Sequence, residues 1–227
     1  MSQSFLNTLI AGAKNLATQQ GASDLATKAK EGWGAQNTLT KGALAGGLLG
    51  VLLSGNARRL VGTGVQVGGA ALIGGLAFKA YEDWQAGKAA QPAKELVALP
   101  EPTERFLPSD AAAAEDLSRR LLQAMVAATK ADGQVTAQER ARIAELLPQL
   151  GLTQDAAAMI EAELDAPLDF NRIAGLARSE AEAAEIYAAS LLAVDPNGAA
   201  EKGYLAMLAA RLNLDAGLVE HLHANAA

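Results

Sequence analysis

Apolar residues recur at helical spacing through most of the C-terminal half of the chain. From Ser109 onward they return every three or four positions, in stretches separated by short polar turns, which is the period of an amphipathic helix. The stretches predict helices near residues 109–131, 137–150, 154–164, 168–177, 180–194, 199–212 and 215–223. No stretch carries a convincing strand pattern. The predicted fold class is therefore all-α, with seven helices in this region.

Residues with helix-capping chemistry stand at several of the predicted starts. Ser109 is placed to cap the first helix. The tetrapeptides TAQE at 136–139 and SEAE at 179–182 fit the capping box, in which a Ser or Thr and a Glu three residues later each bond the other's backbone N–H. These caps fix the starts of the predicted helices more firmly than periodicity alone.

Two apolar blocks of this region repeat at a constant offset of 62 residues. The matched positions are Glu139, Ile143, Leu146, Leu150 and Leu152 in the first block and Glu201, Leu205, Leu208, Leu212 and Leu214 in the second. An acidic turn precedes each block, at Asp132-Gly133 and at residues 195–198. A repeat of this kind indicates two equivalent units, which we expect to pack about a pseudo-twofold axis.

The N-terminal half has a different pattern. Residues 4–31 place Phe5, Leu9, Ala13 and Leu16 at helical spacing, which predicts short amphipathic helices. Such a helix can lie on a membrane surface or dock on protein, and the sequence leaves both alternatives open.

Residues 41–86 form a glycine-rich apolar segment. Two runs in it carry no charge, Gly42–Ser54 with 13 residues and Leu60–Phe78 with 19. As helices they would span ~20 Å and ~29 Å, against a hydrocarbon core of ~30 Å. Small residues recur every four positions, which lets helices approach closely in lipid. The candidate packing glycines are Gly42, Gly46, Gly50, Gly64, Gly68 and Gly75.

Arg58 and Arg59 stand between the two apolar runs, directly after the turn-forming residues 54–56. We interpret them as a turn at the membrane. A hairpin, a single span from Leu60 and a shallow re-entrant hairpin are all compatible with the sequence.

Charge and proline content divide the chain further. Residues 1–108 hold 10 basic and 7 acidic residues, whereas residues 109–227 hold 9 and 18. The net charges of +3 and −9 favour lipid headgroups for the first half and argue against nucleic-acid binding by the second. Four of the seven prolines lie in residues 87–108, an extended spacer. The predicted division is 1–40, 41–86, 87–108 and 109–227.

Residues 130–152, KADGQVTAQERARIAELLPQLGL, resemble the signature of the tellurite-resistance TerB-like helical domains, and residues 193–215 resemble its second half. With the glycine-rich segment ahead of them, they resemble the YebE-like family of bacterial inner-membrane proteins. The resemblance implies a membrane-associated protein of the inner membrane with a cytoplasmic helical domain, acting in envelope or metal stress. It also implies a site for a divalent cation, calcium or magnesium, at Asp132, Glu139, Asp195 and Glu201.

The sequence gives little support for a catalytic or nucleotide-binding site elsewhere in the chain. The chain has no cysteine and none of the common nucleotide, hydrolase or zinc-protease motifs. We expect His221 and His223 to lie in a solvated tail. The favoured interpretation is a non-enzymatic interaction or scaffold protein without catalytic residues. It would bind membrane lipid, itself, and a protein partner through the acidic domain. The alternatives are a metal-dependent helical enzyme using the same four acids, and a soluble oligomer that buries the glycine-rich helices.

Overall fold

The computed structural model describes residues 69–91, 102–133, 135, 154–194 and 196–226. Within these ranges the chain forms helices and no strand, which confirms the predicted all-α class. The helices are α1 (Gly69–Gln85), α2 (Ala111–Ala128), α3 (Gln154–Asp165), α4 (Phe170–Ala174), α5 (Glu180–Ala193), α6 (Ala199–Arg211) and α7 (Ala216–Ala226). Six of the seven helices predicted after residue 109 are present, and the one near 137–150 lies outside the described residues.

The caps differ in detail from those predicted. Asp110, not Ser109, caps α2, because its side chain accepts the backbone N–H of Ala113 at 2.9 Å. Ser179 caps α5 as predicted and accepts the N–H of Glu182 at 3.2 Å. The carboxylate of Glu182 does not complete a capping box, since it accepts bonds from other residues. The TAQE box lies outside the described residues.

Helix α5 forms the centre of the fold. Eleven of its 14 residues are buried, as expected for a helix apolar on every side. It packs most extensively against α2 and also contacts α1, α6 and α7. Many of the buried residues are alanines, whose small side chains let neighbouring helices approach closely.

The helix positions extend the predicted repeat. Helix α7 begins 62 residues after α3, the same offset as in the apolar blocks. Helix α3 packs on α2, and α7 packs on α5. The central pair α2–α5 therefore carries an equivalent helix on each member, as a pseudo-twofold arrangement requires.

Helix α1 belongs to the same core. Its residues Ile73, Leu76, Ala77 and Ala80 are buried, and the helix packs on α7, α5 and α2. Phe106 is also buried, and its ring centroid lies 5.5 Å from that of Phe78. Helix α1 lies in the predicted glycine-rich segment and Phe106 in the predicted spacer, and both pack in one core with the helices after Ser109. The predicted four-segment division of the chain stays a prediction.

In the part of the chain that the structure describes, no helix combines the length and the apolar character that a bilayer crossing needs. Helix α1 has 17 residues and includes Lys79, Glu82 and Asp83. It contains residues 69–78 of the second uncharged run. Many of these residues, including Gly75, are buried in the protein core. The other five candidate glycines, with Arg58 and Arg59, lie outside the described residues, so their predicted roles stay predictions.

Candidate functional site

A cluster of charged side chains joins α2 to α5. Arg120 is buried on α2 and donates to both carboxylate oxygens of Glu182, at 2.7 and 2.9 Å. It also donates to the carbonyl of Leu176 at 2.6 Å and to Asp116 at 3.1 Å. Arg178 donates its backbone N–H to Glu182 and its guanidinium to Asp116, both at 2.6 Å. Bidentate arginine–carboxylate pairs fix orientation as well as adding energy, so this cluster sets the angle between the two helices.

Burial alone would raise the pKa of Glu182, but the hydrogen bonds from Arg120 and from the Arg178 backbone outweigh it and lower the pKa. Glu182 is therefore ionised at neutral pH.

A second cluster joins α2, α3 and α4. Glu163 is buried on α3 and accepts two bonds from Arg172, at 2.7 and 2.6 Å, and one from Gln123 at 2.9 Å. Lys130 lies 3.3 Å from the same carboxylate and donates to the carbonyl of Ala166 at 2.8 Å. Burial acts to raise the pKa of Glu163, and these partners reverse the effect and lower it. Since both oxygens are bonded within the protein, this cluster braces the fold.

Glu185, one helical turn after Glu182, has no such partner. Its side chain is fully buried, and neither carboxyl oxygen has a hydrogen-bond partner among the described residues. Burial, with a smaller contribution from the charge of Glu182, raises the pKa of Glu185 to about 9. Glu185 therefore keeps its proton at neutral pH, whereas Glu182 on the same helix does not.

The surroundings of Glu185 are closely packed. A Cβ atom added to Gly74 on α1 would lie 3.2 Å from Oε1 of Glu185 and 2.7 Å from the carbonyl oxygen of Phe106. Only glycine fits here, because contacts shorter than 3 Å with backbone require the backbone to move. The backbone of α1 at Gly74 thus lies close to the carboxyl on one side and to the Phe106 carbonyl on the other.

The two histidines are part of the folded domain, so the expectation of a solvated tail is wrong. His221 is buried, with Nδ1 2.7 Å from the carbonyl of Gly217 and Nε2 3.0 Å from the carbonyl of Lys88. His223 Nε2 lies 2.8 Å from the hydroxyl of Tyr187. Burial lowers the pKa of His223 and raises the pKa of Tyr187 to about 12. The helical pattern of residues 216–226 was the signal that these side chains pack on the domain.

The four acids proposed as cation ligands are only partly described. Asp132 is exposed in the turn after α2. Glu201 lies in the first turn of α6. Its carboxylate occupies the space that a Cβ on Gly198 would take, so it folds back over the start of its own helix. Glu139 and Asp195 lie outside the described residues. Among the described residues no group of three or more His, Asp or Glu is placed to hold a metal ion, and the four-residue site stays a prediction.

Glu185 was not among the site residues predicted from the sequence, although its context carries a signal. It stands in AEIYAASLLA, residues 184–193, as the only charged residue of an otherwise largely apolar stretch. A charged residue on a helix that is apolar all round has no solvent-facing side to occupy. That conflict, more than any motif, identifies a buried ionisable group.

The fold and its buried charges define a compact helical domain braced by internal ion pairs. Residues 38–226 match the family described as "Protein of unknown function (DUF533)", and the chain belongs to that family. It is also 30% identical over 96 residues to a protein of Yersinia enterocolitica described as "Uncharacterized protein in ampR 5'region". That alignment covers 42% of this chain and 69% of the Yersinia protein. No solved structure matches the chain.

Proposed function

We propose that this chain is a non-enzymatic interaction protein of the bacterial inner membrane. In this proposal the glycine-rich residues before α1 contact lipid and each other. The helical domain lies on the cytoplasmic side and binds a protein partner through its acidic surface.

The observation that carries the proposal is the position of α1. It is the last part of the glycine-rich segment 41–86, and its apolar face packs on α5 and α7. Lipid contact by residues just before Gly69 would therefore hold the whole domain at the membrane surface. The basic charge of the N-terminal half agrees with anionic headgroups.

The buried charges support a non-enzymatic function. The carboxylates of Glu163 and Glu182 each accept several internal hydrogen bonds, which leaves them to brace helices rather than to act on a substrate. The net charge of −9 on residues 109–227 favours a partner with a basic surface.

Flotation with lipid vesicles tests the proposal. Full-length protein should float with vesicles of phosphatidylethanolamine and phosphatidylglycerol, and Leu48→Lys with Leu52→Lys should abolish flotation, because charge in an apolar segment opposes insertion. The matched control is Ala206→Lys with Met207→Lys, two exposed positions on α6, which should float like the parent. Full-length protein that stays at the bottom with vesicles of this composition would refute membrane association.

A further inference from the structure

The backbone of α1 approaches the Glu185 carboxyl closely at Gly74. A Cβ on Gly74 would stand 3.2 Å from Oε1 of Glu185 and 2.7 Å from the Phe106 carbonyl oxygen, and neither Gly74 nor this carbonyl supplies a positive charge. On the opposite side, α2 is held to α5 by the Arg120–Glu182 pair. Among the described residues, α1 and segment 102–110 make no ion pair with Glu185 itself, and their charged and polar contacts to α5 are with Glu180.

The positive charge that acts on Glu185, that of Arg120, is already paired with other groups. Arg120 lowers the pKa of Glu185 only weakly compared with the effect of burial, and its guanidinium bonds Glu182, Asp116 and the Leu176 carbonyl. Arg120 could approach Glu185 only by leaving Glu182, which is itself mostly buried.

The ionisable groups on the other packed elements also have partners of their own. On α1, the Tyr81 hydroxyl donates to Glu180 at 2.9 Å. In segment 102–110, Arg105 lies over the Tyr81 ring at 4.8 Å and donates to Glu180 at 3.3 Å. On α7, His223 bonds Tyr187.

On α6, Tyr204 is buried and its pKa is raised to about 12 by burial, so it stays neutral. No described side chain is thus placed to stabilise a Glu185 carboxylate.

We propose that Glu185 is a proton-dependent latch that holds α1 on the helical domain. With its proton, the carboxyl is neutral and α1 closes over it. When the proton passes to solvent, the carboxylate needs water, because a charge buried without a partner is strongly unfavourable. Water reaches it by displacement of α1 and segment 102–110. The latch would regulate whether the residues before α1 are held close to the helical domain. This inference does not depend on membrane association.

Hydrogen exchange of full-length protein between pH 6 and 9 tests the latch. Wild type is compared with Glu185→Gln at each pH, so that the intrinsic pH dependence of amide exchange cancels. If opening of α1 is coupled to loss of one proton, the ratio of wild-type to variant exchange rates for peptides from α1 should rise about tenfold per pH unit below the folded-state pKa. Peptides from α2 are the internal control: if α1 opens while the rest of the domain stays folded, they should be protected from exchange more strongly than α1 at every pH.

Two outcomes would overturn the proposal. A pH-independent ratio for α1 would mean that Glu185 does not release the helix. Equal protection of α1 and α2 across the pH range would mean that its ionisation unfolds the whole domain.

A second measurement needs no change at Glu185. In a Trp33→Phe chain, Trp84 on α1 is the only tryptophan, and its indole donates to Asp215 beside α7 at 3.1 Å. Raising the pH should shift its emission reversibly to longer wavelength while helical circular dichroism is retained. An emission maximum unchanged up to pH 9.5 would refute release of α1.

Discussion

Two carboxyl groups on α5, one turn apart, show how neighbouring buried acids can have opposite charge states. Glu182 faces α2 and accepts hydrogen bonds from Arg120 and Arg178, which keep its pKa low. Glu185 is covered by α1 and accepts none, so burial raises its pKa. The difference arises both from the partners and from burial, because Glu182 has arginine donors and Glu185 is the more deeply buried of the two. An ion pair therefore holds α5 to α2 at Glu182, whereas the Glu185 carboxyl is covered by α1 in its neutral form.

The largest expected effect on stability comes from removing Arg120, which pairs with Glu182 between α2 and α5. Arg120→Ala leaves Glu182 mostly buried without its bidentate partner, and we expect a loss of about 3–5 kcal/mol in the free energy of unfolding at pH 7. Urea denaturation followed by circular dichroism measures it. Arg105→Ala is the control, because its pair with Glu180 is exposed and should contribute less than about 1 kcal/mol. Equal effects of the two substitutions would show that the Arg120 cluster is not a brace.

The contribution of Glu185 to the free energy of unfolding should depend on pH. The pKa of Glu185 is raised from 4.5 to about 9, so the folded state binds the proton more tightly than the unfolded state. Its stability contribution is complete below pH 4.5 and is lost as pH rises toward 9. The loss between pH 4.5 and 7 is about 3 kcal/mol. Glu182, with a lowered pKa, has the opposite sign and loses its contribution as pH falls below its unfolded value.

Urea denaturation at several pH values measures this slope, and Glu185→Gln should flatten it. The variant is also expected to be more stable than wild type at pH 8, because its amide cannot ionise. A wild-type slope that persists in the variant would assign the pH dependence to other groups.

The smallest expected effect tests how closely α1 approaches. Gly74→Ala brings a Cβ within 2.7 Å of the Phe106 carbonyl, and we expect a net loss of about 1–2 kcal/mol, since overpacking outweighs the better helix propensity of alanine. Gly203→Ala is the matched control on α6, where nothing lies within 4 Å of the added atom. There alanine should stabilise by up to about 1 kcal/mol. Thermal melting distinguishes the opposite signs, and a stabilising Gly74→Ala would contradict the close approach.

Helical periodicity was sufficient to predict α2 through α7, because each has a clear apolar face or caps. It could not place α1, since an uncharged, glycine-containing run satisfies the requirements of a lipid-facing helix and of a core helix equally well. Which one forms depends on partners distant in sequence, such as α7. The cation site at Asp132, Glu139, Asp195 and Glu201 came from the family resemblance and stays a prediction, whereas the unusual ionisable group among the described residues is Glu185 within a helix. Its burial follows from tertiary packing on every side of α5.

The pairing of α1 with α7 has a consequence for synthesis of the chain. Trp84 bonds Asp215, and His221 bonds the carbonyl of Lys88, contacts separated by 131 and 133 residues. At a translation rate of about 5–20 residues per second, the apolar face of α1 leaves the ribosome roughly 7–30 s before α7 exists to cover it. During that interval the nascent chain presents a continuous apolar stretch from the glycine-rich residues into α1. Ribosome-associated factors that bind apolar nascent segments therefore meet α1 before its own domain does.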